Sequence, residues 1–250
     1  MEFIADPWFY VVAIPTMLLV GISKGGLGLA GGLSVPLLSR VVSPFQAAAI
    51  MLPILIVMDF SAFLAYRRHW DRRQMRVILP AGLVGILIGS LIFGALSEDW
   101  IRVLIGMIAV GFVLHSFRRR TAAARPPTRA KGYFWGALAG FTSFVAHAGA
   151  PPLSVYLLPQ RLEPAVLVGT SVMFFTVVNI VKLIPYSALG LLHLQNLSTS
   201  LLLAPVGALG IALGVWLRTR ISTTLFYRLS YGLLLLTGGK LVYDGVRNLL

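Results

Sequence analysis

The chain has 250 residues, of which 58% are hydrophobic and only 12% charged, with a mean hydropathy of +0.87. That balance excludes an ordinary soluble domain; at about 20 apolar residues per crossing it leaves room for roughly seven to ten membrane elements. The absence of cysteine excludes disulfides, thiol redox chemistry and thiolate metal sites. A formal net charge of +13 suggests nucleic acid at first sight, but its distribution argues against it. Much of it sits in two clusters, Arg67-Arg68 with Arg72-Arg73, and Arg118-Arg119-Arg120 through Arg125, Arg129 and Lys131. Both fall in short connectors between apolar runs, as cytoplasmic loops do under the positive-inside rule.

Apolar windows fall at 8–22, 27–39, 44–66, 75–96, 99–117, 132–147, 152–160, 163–186, 197–217 and 223–243. The leader before the first carries Glu2 and Asp6, without a basic start or a small-residue cleavage site, so this segment is expected to stay in the mature protein. The windows 44–66, 75–96, 163–186, 197–217 and 223–243 are long enough to span, and 99–117 just so. Four short windows pair around two glycine- and proline-rich breaks. The first break is Ser23-Lys24-Gly25-Gly26 through Gly31-Gly32 to Pro36; the second is Thr142-Ser143 through His147 and Gly149 to Pro151-Pro152. Each pair reads as a kinked crossing or as a re-entrant hairpin, with broken backbone that must line a cavity or be buried in protein.

The two halves repeat. Leu33-Ser34-Val35, Pro44 and Tyr66 recur as Leu153-Ser154-Val155, Pro164 and Tyr186, all at an offset of 120. At an offset of 125, Pro80, Gly82, Gly85, Gly89 and Ser97 recur as Pro205, Gly207, Gly210, Gly214 and Ser222. Glycines at that spacing line one helix face and let a neighbouring backbone approach. If the broken pairs do not cross, three crossings remain per half and the halves are inverted. The connectors at 67–73, 118–131 and 218–220 then share the cytoplasmic side, with both termini outside. If each pair crosses once, the halves are parallel and Arg218 and Arg220 move outside. Positive-inside favours the inverted arrangement.

The fold expected is an all-α polytopic membrane protein of two homologous halves, each a broken hairpin or kinked helix followed by three long transmembrane helices. The first repeat covers 1–117, a basic linker 118–131, and the second repeat 132–250. Matching broken segments in two halves point to a transporter's binding site.

Lys24 is the sharpest single residue, because a charge at membrane depth is costly unless paired or facing water. With bare amides near Gly25 and Gly26, and Gly31 and Gly32 further along the break, it suggests an anion site; the bland alternative is a lysine at a hairpin tip. The second break offers Ser143 and His147 as donors, His147 alternatively as carrier of a coupling proton, and a half-helix opening near Gly149 and Pro151. Asp59 and Asn179 are equivalent at the 120 offset, which makes Asp59 an ion-pair partner for Lys24 or a proton carrier. Lys182 follows Asn179 by three residues on the same face and either meets the pathway or snorkels outward. Thr170 and Ser171 either line a polar path or bond back to their own helix. No metal site, cofactor motif or catalytic arrangement stands out. The partners expected are a small anionic substrate and the bilayer, with no nucleic acid; a homodimer is compatible with a carrier this small.

Gly21-Ile22-Ser23-Lys24-Gly25-Gly26-Leu27-Gly28 resembles the leading signature of the TauE/SafE-type permeases, also described as the 4-toluene sulfonate uptake permease family. More specific is the second half: Gly140-Phe141-Thr142-Ser143, His147-Ala148-Gly149-Ala150-Pro151-Pro152, Gly169-Thr170-Ser171, Phe174-Phe175, Asn179, Lys182, Tyr186 and Gly190 follow in the family's order. Ala150 departs from it, standing where a small glycine is common. The resemblance implies a bacterial inner-membrane secondary carrier for sulfur-containing anions such as sulfite, sulfoacetate or other organosulfonates, in either direction. A channel of the same architecture and a carrier of another small solute are the alternatives.

Overall fold

Prolines and side-chain caps set most of the helix starts. A computed structural model describes residues 3–26, 34–38, 41–92, 97–118 and 128–249; Gly31 and Gly32 of the first break lie outside them. In chain order the helices are α1 (Pro7–Gly26), α2 (Ser34–Leu38), α3 (Pro44–Tyr66), α4 (Arg72–Leu91), α5 (Glu98–Arg118), α6 (Arg129–Ala146), α7 (Ala150–Leu157, extended by a 3-10 turn), α8 (Pro164–Ala188), α9 (Leu194–Arg220) and α10 (Thr223–Leu249). There is no strand among the described residues. Ser43 caps α3 ahead of Pro44, and the Asp71 carboxylate accepts the Arg73 and Gln74 amides of α4. Glu163 does the same for Ala165 beyond Pro164. Such caps satisfy amides that have no partner inside the helix.

Among the described residues, five helices are long and apolar enough to cross a bilayer: Pro7–Gly26, Gln46–Tyr66, Arg72–Ile92, Pro164–Ala188 and Leu194–Arg220. Their outer faces expose large apolar side chains, among them Leu87, Leu91, Ile184, Leu201 and Leu209, as lipid contact requires. The first helix differs from the expectation. Instead of ending near residue 22 it continues through Ser23-Lys24-Gly25-Gly26, 20 residues or about 30 Å in all. Two successive glycines cost helix propensity, about 1 kcal/mol each, and close packing offsets that cost.

That packing is backbone to backbone. A Cβ on Gly25 would come within 2.6 Å of the Ile211 carbonyl, and one on Gly210 within 2.8 Å of the Leu18 carbonyl. Hence α1 and α9 run parallel in close contact, Gly21 beside Gly207 and Gly210, Gly26 beside Gly214. In the same way α4 and α6 run parallel, with Gly136 against Ile78 and Gly140 against Gly82. α3 packs on α8 and α9, and α5 packs on α10.

After α6, His147 adopts a left-handed conformation (φ 50) and the chain reverses. The amide of His147 closes on the Ser143 carbonyl and that of Ala148 on Thr142, a helix stop that a left-handed residue makes possible. α7 then returns along α6 until Tyr156 lies over Gly132, near the start of α6. The same end gathers Gln74, which accepts from the Tyr156 hydroxyl, the Asp71 amide on Thr170, and the Arg218–Glu163 ion pair. At the opposite end the Ile4 amide meets Thr199 and Gln46 meets Asn196. The basic connectors therefore cluster at one end, around residues 67–76, 129–131, 161 and 218–220.

The glycine contacts yield a direct test. Gly210→Ala, pressed against backbone that cannot rotate away, is expected to lower the melting temperature in detergent, by a cost of about 1–3 kcal/mol typical of overpacking. Gly111→Ala has nothing within 4 Å of the new methyl group and should be neutral or slightly stabilising.

Candidate functional site

The last turn of α1, the end of α6, and the second halves of α3 and α8 bring their polar residues together inside an otherwise apolar core. Lys24 Nζ lies 2.6 Å from Asp59 Oδ1, with both side chains buried. Asn179 Nδ2 donates to the other carboxylate oxygen, Oδ2, at 2.6 Å. The two residues equivalent at the 120 offset are thus bonded to each other. Lys24 also lies 5.9 Å from the ring centroid of Phe175, which adds an electrostatic attraction through the ring face. Neither Asn179 Oδ1 nor Ser23 Oγ has a hydrogen-bond partner among the described residues.

Lys182 forms the second half of the site. It is fully buried, so it does not snorkel. Its ammonium donates to the Ser143 carbonyl at 2.9 Å and Ser143 Oγ at 3.2 Å, and stands 2.8 Å from His147 Nδ1. His147 Nε2 lies 3.0 Å from the Ala48 carbonyl, which can only accept, so Nε2 carries the proton and Nδ1 offers its lone pair to Lys182. All three partners of Lys182 are neutral. The one carboxylate of the cluster among the described residues, Asp59, is already bonded to Lys24 and Asn179, so Lys182 has no acid against it.

Two tyrosines pin the ends of α1 and α6. Tyr66, from the end of α3, donates to the Gly25 carbonyl at 2.6 Å, and Tyr186, near the end of α8, donates to the Phe144 carbonyl at 2.9 Å. The sequence marks this pair as a repeat, yet gives no hint that each holds the end of a broken helix.

Other residues singled out from the sequence lie elsewhere or do other work. Gly25 and Gly26 sit within helical backbone against α9, not on an open loop of bare amides. Gly149 packs close to the Ala139 carbonyl, Phe175 and Ser143, and so seats α7 against α6. Pro151, buried at the start of α7, has no amide hydrogen, which leaves Gly149 and Ala150 as the backbone donors of that turn. Thr170 is remote from the lysines: its hydroxyl donates to Val166 and accepts the Asp71 amide, anchoring the α3–α4 connector. Ser171 bonds back to Leu167.

A family model described as Sulfite exporter TauE/SafE matches residues 13–241. The chain belongs to the sulfite exporter TauE/SafE family. With its five apolar helices it is a membrane protein of a transporter family. No curated protein and no solved structure gives a significant match. The matched region of this TauE/SafE chain takes in both lysines, Asp59, Asn179, Ser143 and His147.

The buried pair makes a second prediction. Lys24→Met leaves the Asp59 carboxylate buried without its counter-charge and should destabilise the TauE/SafE chain by about 3–5 kcal/mol. Lys24→Met combined with Asp59→Leu should recover much of that loss. Thermal unfolding of the two variants and wild type in one detergent measures both.

Proposed function

We propose that this chain is a secondary carrier that moves a sulfur-containing anion (sulfite, sulfoacetate or another organosulfonate) across the bacterial inner membrane by alternating access, coupled to protons. One observation carries the reading: two buried lysines, Lys24 and Lys182, share a cluster with a single carboxylate, Asp59, so with both lysines protonated the cluster carries one excess positive charge. An uncompensated charge at that depth is expensive, and a monovalent anion balances it. The family description supports a sulfur oxyanion as that charge.

In this mechanism the anion binds beside Lys24, whose two remaining N–H groups, the free Ser23 hydroxyl and the Asn179 amide supply donors. Lys182 adds the second positive charge, held in place by Ser143 and His147. Asp59 and the anion compete for Lys24. A proton on Asp59 removes its hold on the ammonium, so proton and anion load together.

The carrier is read as two homologous halves, 1–117 and 132–250, joined by the basic linker 118–131 and inverted in the membrane. Three features support this: the Asp59–Asn179 bond between equivalent positions, the matched tyrosine contacts, and the reciprocal packing of α1 on α9 and α6 on α4. The return of α7 along α6 favours a re-entrant hairpin over a kinked crossing. With basic residues gathered at one end, that end is cytoplasmic. Rocking of one half against the other then opens the lysine site to each side in turn.

Flux into proteoliposomes tests the proposal. Wild type should give saturable sulfite or sulfonate uptake, stimulated by an inward proton gradient. Lys24→Ala, with its fold verified by melting and elution, should abolish uptake. Asp59→Asn should retain downhill flux and lose the stimulation. Unaltered flux in Lys24→Ala would refute the central anion site, and no flux of any sulfur anion by folded wild type would refute the substrate class.

A further inference from the structure

At the basic end, away from the lysine site, a cavity of about 190 Å³ opens between α4, α6 and α7. Arg73, Gln74 and Arg76 line it from α4, Arg129 and Tyr133 from α6, and Tyr156 from α7. It is smaller than the pockets of about 300 Å³ and upward that hold drug-sized ligands, yet roomier than a single water needs. Its lining has three guanidinium groups and no carboxylate. None of the three arginines pairs with an acid among the described residues, and the Asp71 carboxylate nearby caps α4 through Oδ1. Gln74 is buried, 4% exposed, and its carbonyl oxygen is fixed by the Tyr156 hydroxyl at 2.7 Å. The opposite end of that amide, Nε2, has no hydrogen-bond partner among the described residues and is a donor left for a ligand.

We propose that this cavity binds the phosphate of an acidic phospholipid. Guanidinium groups present planar, forked donors that match phosphate oxygens. The depth also fits a lipid. The apolar run of α4 begins at Val77, directly after Arg76, and on α6 the half-exposed Tyr133 and the exposed Phe134 follow Arg129 within two turns. Basic residues followed by aromatic ones mark the headgroup level, and farther along α4 the exposed Leu87 and Leu91 offer a face for acyl chains. Three uncompensated arginines favour a net anionic headgroup over a zwitterionic one. A phosphate bound there would tie α4 to the hairpin that carries Ser143 and His147. The assignment does not depend on which solute the lysine site carries.

The test compares wild type with the double variant Arg76→Gln/Arg129→Gln, and with Arg67→Gln/Arg68→Gln, which removes the same charge from the exposed connector nearby. Each is purified in neutral detergent and supplied with phosphatidylglycerol or phosphatidylcholine, and lipid retention is read by native mass spectrometry alongside the melting temperature. Wild type should retain phosphatidylglycerol in preference to phosphatidylcholine and melt higher with it. Arg76→Gln/Arg129→Gln should lose that preference by about tenfold or more, while its melting temperature without lipid stays near wild type. Arg67→Gln/Arg68→Gln should keep the preference. Equal losses in the two variants would overturn the pocket in favour of diffuse attraction to basic loops. Stabilisation of wild type by inorganic phosphate alone, with no pocket-dependent lipid retention, would overturn the lipid in favour of a free anion.

Discussion

Removing an ammonium and a carboxylate from water costs several kcal/mol per ion, and only close, hydrogen-bonded geometry offsets that penalty. Lys24 and Asp59 meet this condition in a core otherwise built from apolar side chains, 2.6 Å apart and with Asn179 on the free carboxylate oxygen. The three residues come from α1, α3 and α8, so one polar contact fixes how the end of α1 sits against α3 and α8. Displacing any one helix would expose a charge to hydrocarbon. The same constraint explains the tyrosines. Tyr66 holds Gly25, next to Lys24, and Tyr186 holds Phe144, next to Ser143, so each helix end keeps its polar group in register.

Glycine makes this arrangement possible. Helices that end inside a membrane protein need neighbours close enough to cover their ends, and between apolar surfaces packing must replace the hydrophobic drive. The parallel contacts of α1 with α9 and of α4 with α6 are so close that a methyl group at Gly25, Gly140 or Gly210 would meet backbone. Close packing of that kind leaves little room for shear within each helix pair.

Much of the fold was legible in the sequence, for physical reasons. Apolar windows followed by arginine clusters predicted the long helices, since no soluble structure tolerates that pattern, and proline marked the starts at Pro44 and Pro164. The pairing of Lys24 with Asp59 could be anticipated because a lone buried carboxylate is too costly. Three things were not legible. The helix through Ser23-Lys24-Gly25-Gly26 was hidden, because glycine reads locally as a breaker and only α9, almost 190 residues away, makes it a packing residue. The remote place of Thr170 depends on the α3–α4 connector reaching α8. The surroundings of Lys182 depend on the left-handed turn at His147, whose ring is aimed by a backbone reversal rather than by a motif.

The central claim is that an excess buried positive charge attracts the transported anion. Calorimetric titration of sulfite into purified protein, comparing wild type with Lys182→Met, tests it most directly. Methionine keeps the length and apolar stem of lysine and removes the charge, so a folded variant isolates the electrostatic contribution. Wild type should bind at a single saturable site, and Lys182→Met should bind at least about tenfold more weakly, a loss of roughly 1.4 kcal/mol. Equal affinity in the two proteins, both folded by their melting curves, would contradict the claim and leave Lys182 as a structural hydrogen-bond donor to Ser143 and His147.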